Sequence, residues 1–398
     1  MQSFARHLTS TACLALLAAS ASAQDLVITN ARLLDGAGRD IANGSVVIRD
    51  GRIASVASGA ADAGGVDTID ARGMTLMPGY IDAHRHIIRG DSDQWFREQS
   101  VDRMREFLES GFTTLMSGGG PVPGIIELKQ RIDSNELEGP RIITSGRADP
   151  RSYSTPAAAR ERVRAIAAAG VEIIKVRIEV APTEVERAVL AAVVDEGRRH
   201  GLDVMVHASS VEAMLTAVEL GAAKLVHTPH GSFMSEADAR AVAEAGIENL
   251  STVGFGVPVF GVYNDDNVPT FRDGNPWPEG ILAGQGRGRE AGEKIVNGRT
   301  LFDAGVTYGF GTDTNYHPRD GLYHELKTLN LMFSPLDILE IMGPGTAAFI
   351  EMGDDLGTLD PGKIADLVLI DGDPLELIFN LLNVQVVIQG GEIVADKR

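Results

Sequence analysis

The chain has 398 residues, 44% of them hydrophobic, and a formal charge of −19. That length and apolar content can bury a large core, while so strong an acidic excess argues against nucleic acid or an anionic membrane as a partner. With Cys13 as the only cysteine, no intrachain disulfide can form.

The first 23 residues carry Arg6, then a short apolar segment from Thr11 to Ala19, then Ala21-Ser22-Ala23. A basic start, an apolar middle and an Ala-x-Ala end are the parts of a secretory signal peptide. The mature chain is therefore expected to begin at Gln24 and to be secreted or periplasmic. The apolar run is too short for a permanent span, and nothing downstream approaches the roughly 18 uninterrupted apolar residues that a spanning helix needs.

Residues 25–70 read as strands, with Asp50-Gly51 as a strong hairpin turn signal. The end of the chain reads the same way, in Leu367-Val368-Leu369-Ile370 and Val384-Gln385-Val386-Val387-Ile388. Similar β segments at both ends, around a different pattern, predict a small composite β-sandwich domain built from 24–74 and 353–398.

Between them, 75–352 alternates strand and helix patterns. Strands are expected at 76–84, 113–117, 141–145, 171–178, 203–208, 224–228, 249–253 and 307–312. Helical patterns lie at 93–110, 156–169, 183–200, 211–220 and 235–245, several opened by Ser, Thr or Asp and closed by Gly. Eight such repeats predict a (β/α)8 TIM barrel, with functional residues at the C-terminal ends of the strands. The stretch 254–297 departs from the repeat. It is long, polar and Gly-rich, with Tyr263, Phe271 and Trp277 within it, and it is expected either to wall the site as a lid or to be a surface excursion.

The polar residues at the strand ends carry the chemistry. His84 and His86 are two positions apart, so on an extended chain both imidazoles face one side and can share an ion. Two solvent-facing histidines would have the same spacing. His207 and His227 end the fifth and sixth strands and Asp313 the eighth, while Lys175 lies in the apolar fourth strand. A lysine buried there needs an anionic partner or a chemical change, and Glu172 and Glu179 are near enough in sequence to pair with it.

With Pro78-Gly79-Tyr80-Ile81-Asp82-Ala83-His84-Arg85-His86, the segment 26–36 and Leu356-Gly357-Thr358-Leu359-Asp360-Pro361-Gly362-Lys363-Ile364-Ala365-Asp366, the sequence resembles the amidohydrolase superfamily, in its prolidase-like and imidazolonepropionase-like branch. The resemblance covers nearly all of the mature chain. It implies a metal-dependent barrel holding two divalent ions, most often zinc. The implied ligands are His84, His86 and Asp313 for the more buried ion and His207 and His227 for the second, with Lys175, N6-carboxylated, bridging both. It further implies a metal-bridging hydroxide as nucleophile and Asp313 as proton shuttle. His230 is either a donor to the developing oxyanion or a substrate carboxylate, or an ordinary loop histidine.

The implied activity is cleavage of an amide or peptide-type C–N bond in a small-molecule substrate, a dipeptide or N-acyl amino acid. Lactone or ester hydrolysis stays open, since the same nucleophile attacks either carbonyl. Heterocycle deamination fits less well, because His207-Ala208-Ser209-Ser210 lacks the glutamate that deaminases of this fold usually carry three residues after that histidine. An exported metal- or ligand-binding protein without catalysis would call for a broken ligand set, and every expected ligand is present. Homo-oligomer formation is left open.

Overall fold

The computed structural model describes residues 25–61, 64–178, 182–254, 285–314 and 317–398. The expected signal segment, Glu179 and the aromatic residues Tyr263, Phe271 and Trp277 lie outside the described residues.

Both ends of the chain meet in one mixed sheet of eight strands. From the N-terminal side come β1 (Leu26–Leu34), β2 (Asp40–Arg49), β3 (Arg52–Ser58), β4 (Asp67–Asp70) and β5 (Thr75–Pro78). Asp50 and Gly51 join β2 to β3 with φ of 49° and 75°, as a two-residue hairpin turn with positive φ at both positions requires. Strands near the C-terminus, Leu367–Ile370, Val384–Gln389 and Glu392–Asp396, extend this sheet, with Leu367 opposite Pro78 and Ile370 opposite Thr75. Leu26, Ile28, Leu33, Val46, Ile48, Leu367, Leu369, Val386 and Ile388 share its buried core. The pairing is that of one continuous ladder, not the two separate sheets that a sandwich predicts.

The strand expected over 76–84 is two strands. β5 belongs to the terminal sheet, and β6 (Tyr80–Arg85) opens the central α/β region. Gly79 makes the transfer: its N–H donates to the Asp366 carbonyl, and a Cβ there would stand 2.4 Å from Thr113 Oγ1. Gly79→Ala should therefore force the backbone or Thr113 aside at a cost of about 1–3 kcal/mol, visible as a lower urea midpoint at unchanged slope.

Central strands β6, β7 (Phe112–Ser117) and β8 (Arg141–Ile143) form one parallel sheet. A second contains β9 (Ser145–Arg147), β10 (Ile173–Ile178), β11 (Asp203–Ala208), β12 (Lys224–Val226), β13 (Glu248–Leu250) and β14 (Tyr308–Gly309), again all parallel. Thr144 separates β8 from β9, and its carbonyl accepts from the N–H groups of both Glu172 and Ile173. At the other side, Ala83 N–H donates to Phe310 O (3.1 Å) and Asp313 N–H to His84 O (2.9 Å), tying β6 to the segment that follows β14. This is a TIM-barrel-type α/β fold whose central strands pair in sheets of three and six. Ile81, Met116, Ile173, Met205, Val226 and Leu250 fill its interior. Ile173 and Met205 point inward one alternation step before Lys175 and His207, so the core layer and the polar layer stack along the same strands.

Helices lie between the strands. Thr155, Thr183, Ser210 and Ser235 cap four of them, each accepting from the backbone N–H three residues on. The pattern over 93–110 is two helices, α1 (Ser92–Glu98) and α2 (Ser100–Glu109), interrupted at Gln99. Among the described residues, no helix is long and apolar enough to cross a membrane.

Candidate metal centre

His84, His207, His227 and Asp313 come from the C-terminal parts of the central strands or the residues after them, Lys175 from the middle of β10, and His86 follows β6 directly. The ligand atoms of His84, His86 and Asp313 lie within 4.8 Å of one another. Asp313 Oδ1 stands 3.1 Å from His86 Nε2 and 3.5 Å from His84 Nε2, while its Oδ2 is 3.6 Å from His227 Nε2. Lys175 Nζ is 3.4 Å from His84 Nε2, so it points into the site. Glu172 does not pair with it, and instead accepts from the N–H and hydroxyl of Thr144. His207 packs edge-on against His227 with ring centroids 4.2 Å apart.

Partners behind the rings aim them. His86 Nδ1 is 2.9 Å from the Gly119 carbonyl, which fixes Nδ1 as the donor and leaves the Nε2 lone pair for the site. Thr252 Oγ1 is 2.8 Å from His227 Nδ1 and holds that ring with its Nε2 turned to the site. His227, Thr252 and Asp313 have φ of 77°, 38° and 46°, a region that L-residues seldom occupy and that clusters at functional sites.

Burial holds the imidazoles of His84, His207 and His227 neutral. His84 and His227 titrate well below the ordinary histidine range, first because they are buried and then because a neighbouring basic side chain disfavours their protonation, Lys175 for His84 and His207 for His227. His207 is pushed down to about 2 by burial and by Lys175. Burial lowers the Lys175 ammonium to about 7, against the pull of Asp313. Neutral imidazoles beside a carboxylate are suitable ligands for a divalent cation. Asp313 Oδ1 is buried without a hydrogen-bond partner, an orphan that a cation would satisfy, so these residues fit a metal.

His230 stands apart from this group. Its Nε2 is 3.7 Å from Glu290 Oε1, its Nδ1 is buried without a hydrogen-bond partner, and its backbone N–H donates to Ser209 O. The loop that carries it is gripped by a helix, Gln285–Asp303, which occupies the end of the stretch expected to be a loop over 254–297. Residues 255–284 of that stretch lie outside the described residues. Asn297 donates to the carbonyls of Pro229 and Ser232 and accepts from Met234 N–H, and Glu293 accepts from Gly231 N–H. Asn297→Ala should cost about 1–3 kcal/mol by leaving these backbone groups unpaired, measurable by chemical denaturation.

His317 caps a following helix, Pro318–Leu329, in which His324 Nε2 lies 2.7 Å from the Gly254 carbonyl. Beside it, buried Glu325 accepts from the N–H groups of Val253 and Gly254, and burial raises its carboxyl to about 7. Sequence reasoning missed Glu325, Asn297, Thr252 and Asp82. Only Asp82 offered a signal, since it continues the i, i+2 series of His84 and His86.

The family model described as Amidohydrolase family matches residues 75–394. Over 186 residues the chain is 31% identical to N-acyl-D-aspartate deacylase of Alcaligenes xylosoxydans xylosoxydans, covering 44% of this chain and 35% of that protein, so it spans about a third of that relative's length. It is 26% identical over 393 residues to imidazolonepropionase of Salinispora arenicola (strain CNS-205), covering 87% and 90% of the two chains. In three dimensions it is similar to the crystal structure of a Xaa-Pro dipeptidase with bound methionine in the active site, with TM-score 0.77, 23% identity, and 93% and 99% of the two chains covered. Family match, relatives and site geometry agree: the chain belongs to the amidohydrolase family, in its prolidase-like and imidazolonepropionase-like branch.

Proposed function

We propose that this protein is an exported, metal-dependent hydrolase that cleaves an amide or peptide-type C–N bond in a small substrate, a dipeptide or an N-acyl amino acid. The observation that carries the reading is the convergence of His84, His86 and Asp313 within ligand distance of one another, with His227 at the second oxygen of the same carboxylate. The N-acyl-D-aspartate deacylase and the Xaa-Pro dipeptidase support the bond type. The N-terminal signal pattern supports export, and the charge supports a small-molecule substrate over nucleic acid or membrane.

His84, His86 and Asp313 would hold one divalent ion, His207 and His227 a second, and Lys175 both, with zinc as the metal. Carboxylation of Lys175 removes the cost of a buried cation and supplies two anionic oxygens. The bound ions would polarise the scissile carbonyl and lower the pKa of a water to near neutrality. Asp313 accepts the proton released as the carbonyl carbon becomes tetrahedral, then passes it to the leaving nitrogen. His230, on the loop that follows β12, donates to the substrate's carbonyl oxygen or carboxylate. In the same reading, the two terminal segments form the composite β domain around the central barrel, with β5 (Thr75–Pro78) on the side of the β domain.

A panel of dipeptides, N-acyl amino acids and lactones tests the bond type. C–N substrates should be hydrolysed, activity should vanish on dialysis against a chelator, and zinc should restore it. Turnover of lactones alone, or activity indifferent to the chelator, would overturn the reading.

A further inference from the structure

Arg85 separates the two metal-facing histidines in sequence, yet it is 1% exposed, which is costly for a cation without a specific task. Its side chain reaches the segment after β14, where the same terminal nitrogen stands 2.8 Å from Thr312 Oγ1 and 2.9 Å from Thr314 Oγ1. A guanidinium NH2 has two hydrogens, so one group can donate to both hydroxyls. Those hydroxyls belong to the two residues that flank Asp313.

The opposite pole of the arrangement is Asp82, which is fully buried. Its Oδ2 accepts from Thr312 Oγ1 at 2.6 Å, and its Oδ1 accepts from the backbone N–H groups of Thr312 (3.0 Å) and His84 (3.1 Å). Thr312 Oγ1 thus donates to Asp82 while it accepts from Arg85, whose guanidinium lies 3.9 Å from Asp82 Oδ2. The Asp313 N–H to His84 O bond closes the connection. Behind it, Phe107 stacks on Arg85 with 5.1 Å from Cζ to the ring centroid, and a Cβ on Gly321 would come within 3.0 Å of Arg85 and 2.8 Å of Thr314. Asp313 holds its left-handed backbone at the centre of this framework, as such conformations persist only where the surroundings over-determine them.

We propose that Arg85 is a positioning residue for Asp313: braced on Asp82, it holds Thr312 and Thr314 and so sets where the Asp313 carboxylate stands against His84 and His86. The inference rests on the reading of Asp313 as the proton carrier. Misplacement of a reacting group by about 1 Å costs on the order of 100-fold in rate, so a framework outside the substrate's reach still governs turnover.

The test compares metal-loaded Thr314→Val, Thr314→Ser, Arg85→Met and Asp313→Asn on the most active substrate of the panel. Thr314→Val keeps the volume but removes the hydroxyl that Arg85 holds. It should lower kcat about 10-fold with KM within about 2-fold, Thr314→Ser should restore most of the loss, and Arg85→Met should lower kcat about 100-fold. A second readout needs no turnover: in cobalt(II)-loaded protein, the visible absorption should shift in Thr314→Val and Arg85→Met but not in Thr314→Ser. Wild-type kcat and an unshifted spectrum in Thr314→Val, or equal effects of Val and Ser, would overturn the proposal even if Arg85→Met does not fold. If Asp313→Asn is inactive while folded Thr314→Val and Arg85→Met turn over normally, only this inference falls. If Asp313→Asn is itself fully active, the proton-carrier reading falls and takes this inference with it.

Discussion

Asp313→Asn is expected to leave the protein folded and to lower kcat by about 1,000-fold, within the range that a positioned general acid-base contributes. Asparagine keeps the shape of the side chain and, like aspartate, tolerates the left-handed conformation that residue 313 adopts at φ 46°. The bond from its backbone N–H to the His84 carbonyl is unaffected. What the change removes is the negative charge and the basicity of two oxygens, one 3.1 Å from His86 Nε2 and the other 3.6 Å from His227 Nε2. A thermal melt close to wild type alongside collapsed steady-state turnover is the expected pair of results. Normal hydrolysis by the variant would show that the proton is carried elsewhere.

Lys175→Met should reduce bound metal from about two ions per chain to about one when both proteins are prepared with zinc and bicarbonate, and should lower turnover by at least about 100-fold. Lys175 is 4% exposed on β10, flanked by the buried Ile174 and Val176, and its amine meets His84 Nε2 at 3.4 Å. Methionine is unbranched and of similar length, so the apolar part of the packing is kept while the nitrogen is lost. The fold should therefore survive, because a buried polar group replaced by an apolar one of similar volume is often neutral in stability. Elemental analysis reads the result directly. A wild-type value of one metal, unchanged by the substitution, would remove the bridging role of Lys175 while leaving the group of His84, His86 and Asp313 standing.

Features whose signal is short-range were legible in the sequence. β11 runs over Asp203–Ala208 as expected, since an apolar run bounded by turn residues leaves little choice of ends. The Asp50-Gly51 turn follows from φ preferences within two residues. Elsewhere the local pattern was uniform across a boundary that only packing sets. The apolar stretch 76–81 does not reveal that β5 and β6 belong to different sheets, because the groups that Gly79 meets at the crossing, the Asp366 carbonyl and Thr113, lie far along the chain. Residues 285–303 begin with Gln285-Gly286-Arg287-Gly288, a poor helix start by propensity. The helix is held there by bonds from Glu293 and Asn297 to a loop more than 60 residues earlier in the chain.

By itself the sequence determined the family, the repeating α/β pattern and the identity of the polar residues at the strand ends, because each rests on residue type and on spacings of two to four positions. Which nitrogen of His86 and His227 faces the site, how Asp313 is held, and the burial of Arg85 were decided only by the tertiary structure. The bonds that decide them join residues 33 and 25 positions apart for the two rings, and 227 and 230 apart for Arg85 to Thr312 and Asp82 to Thr312. No local periodicity carries such a pairing, since it exists only once the last central strand has come to lie beside the first.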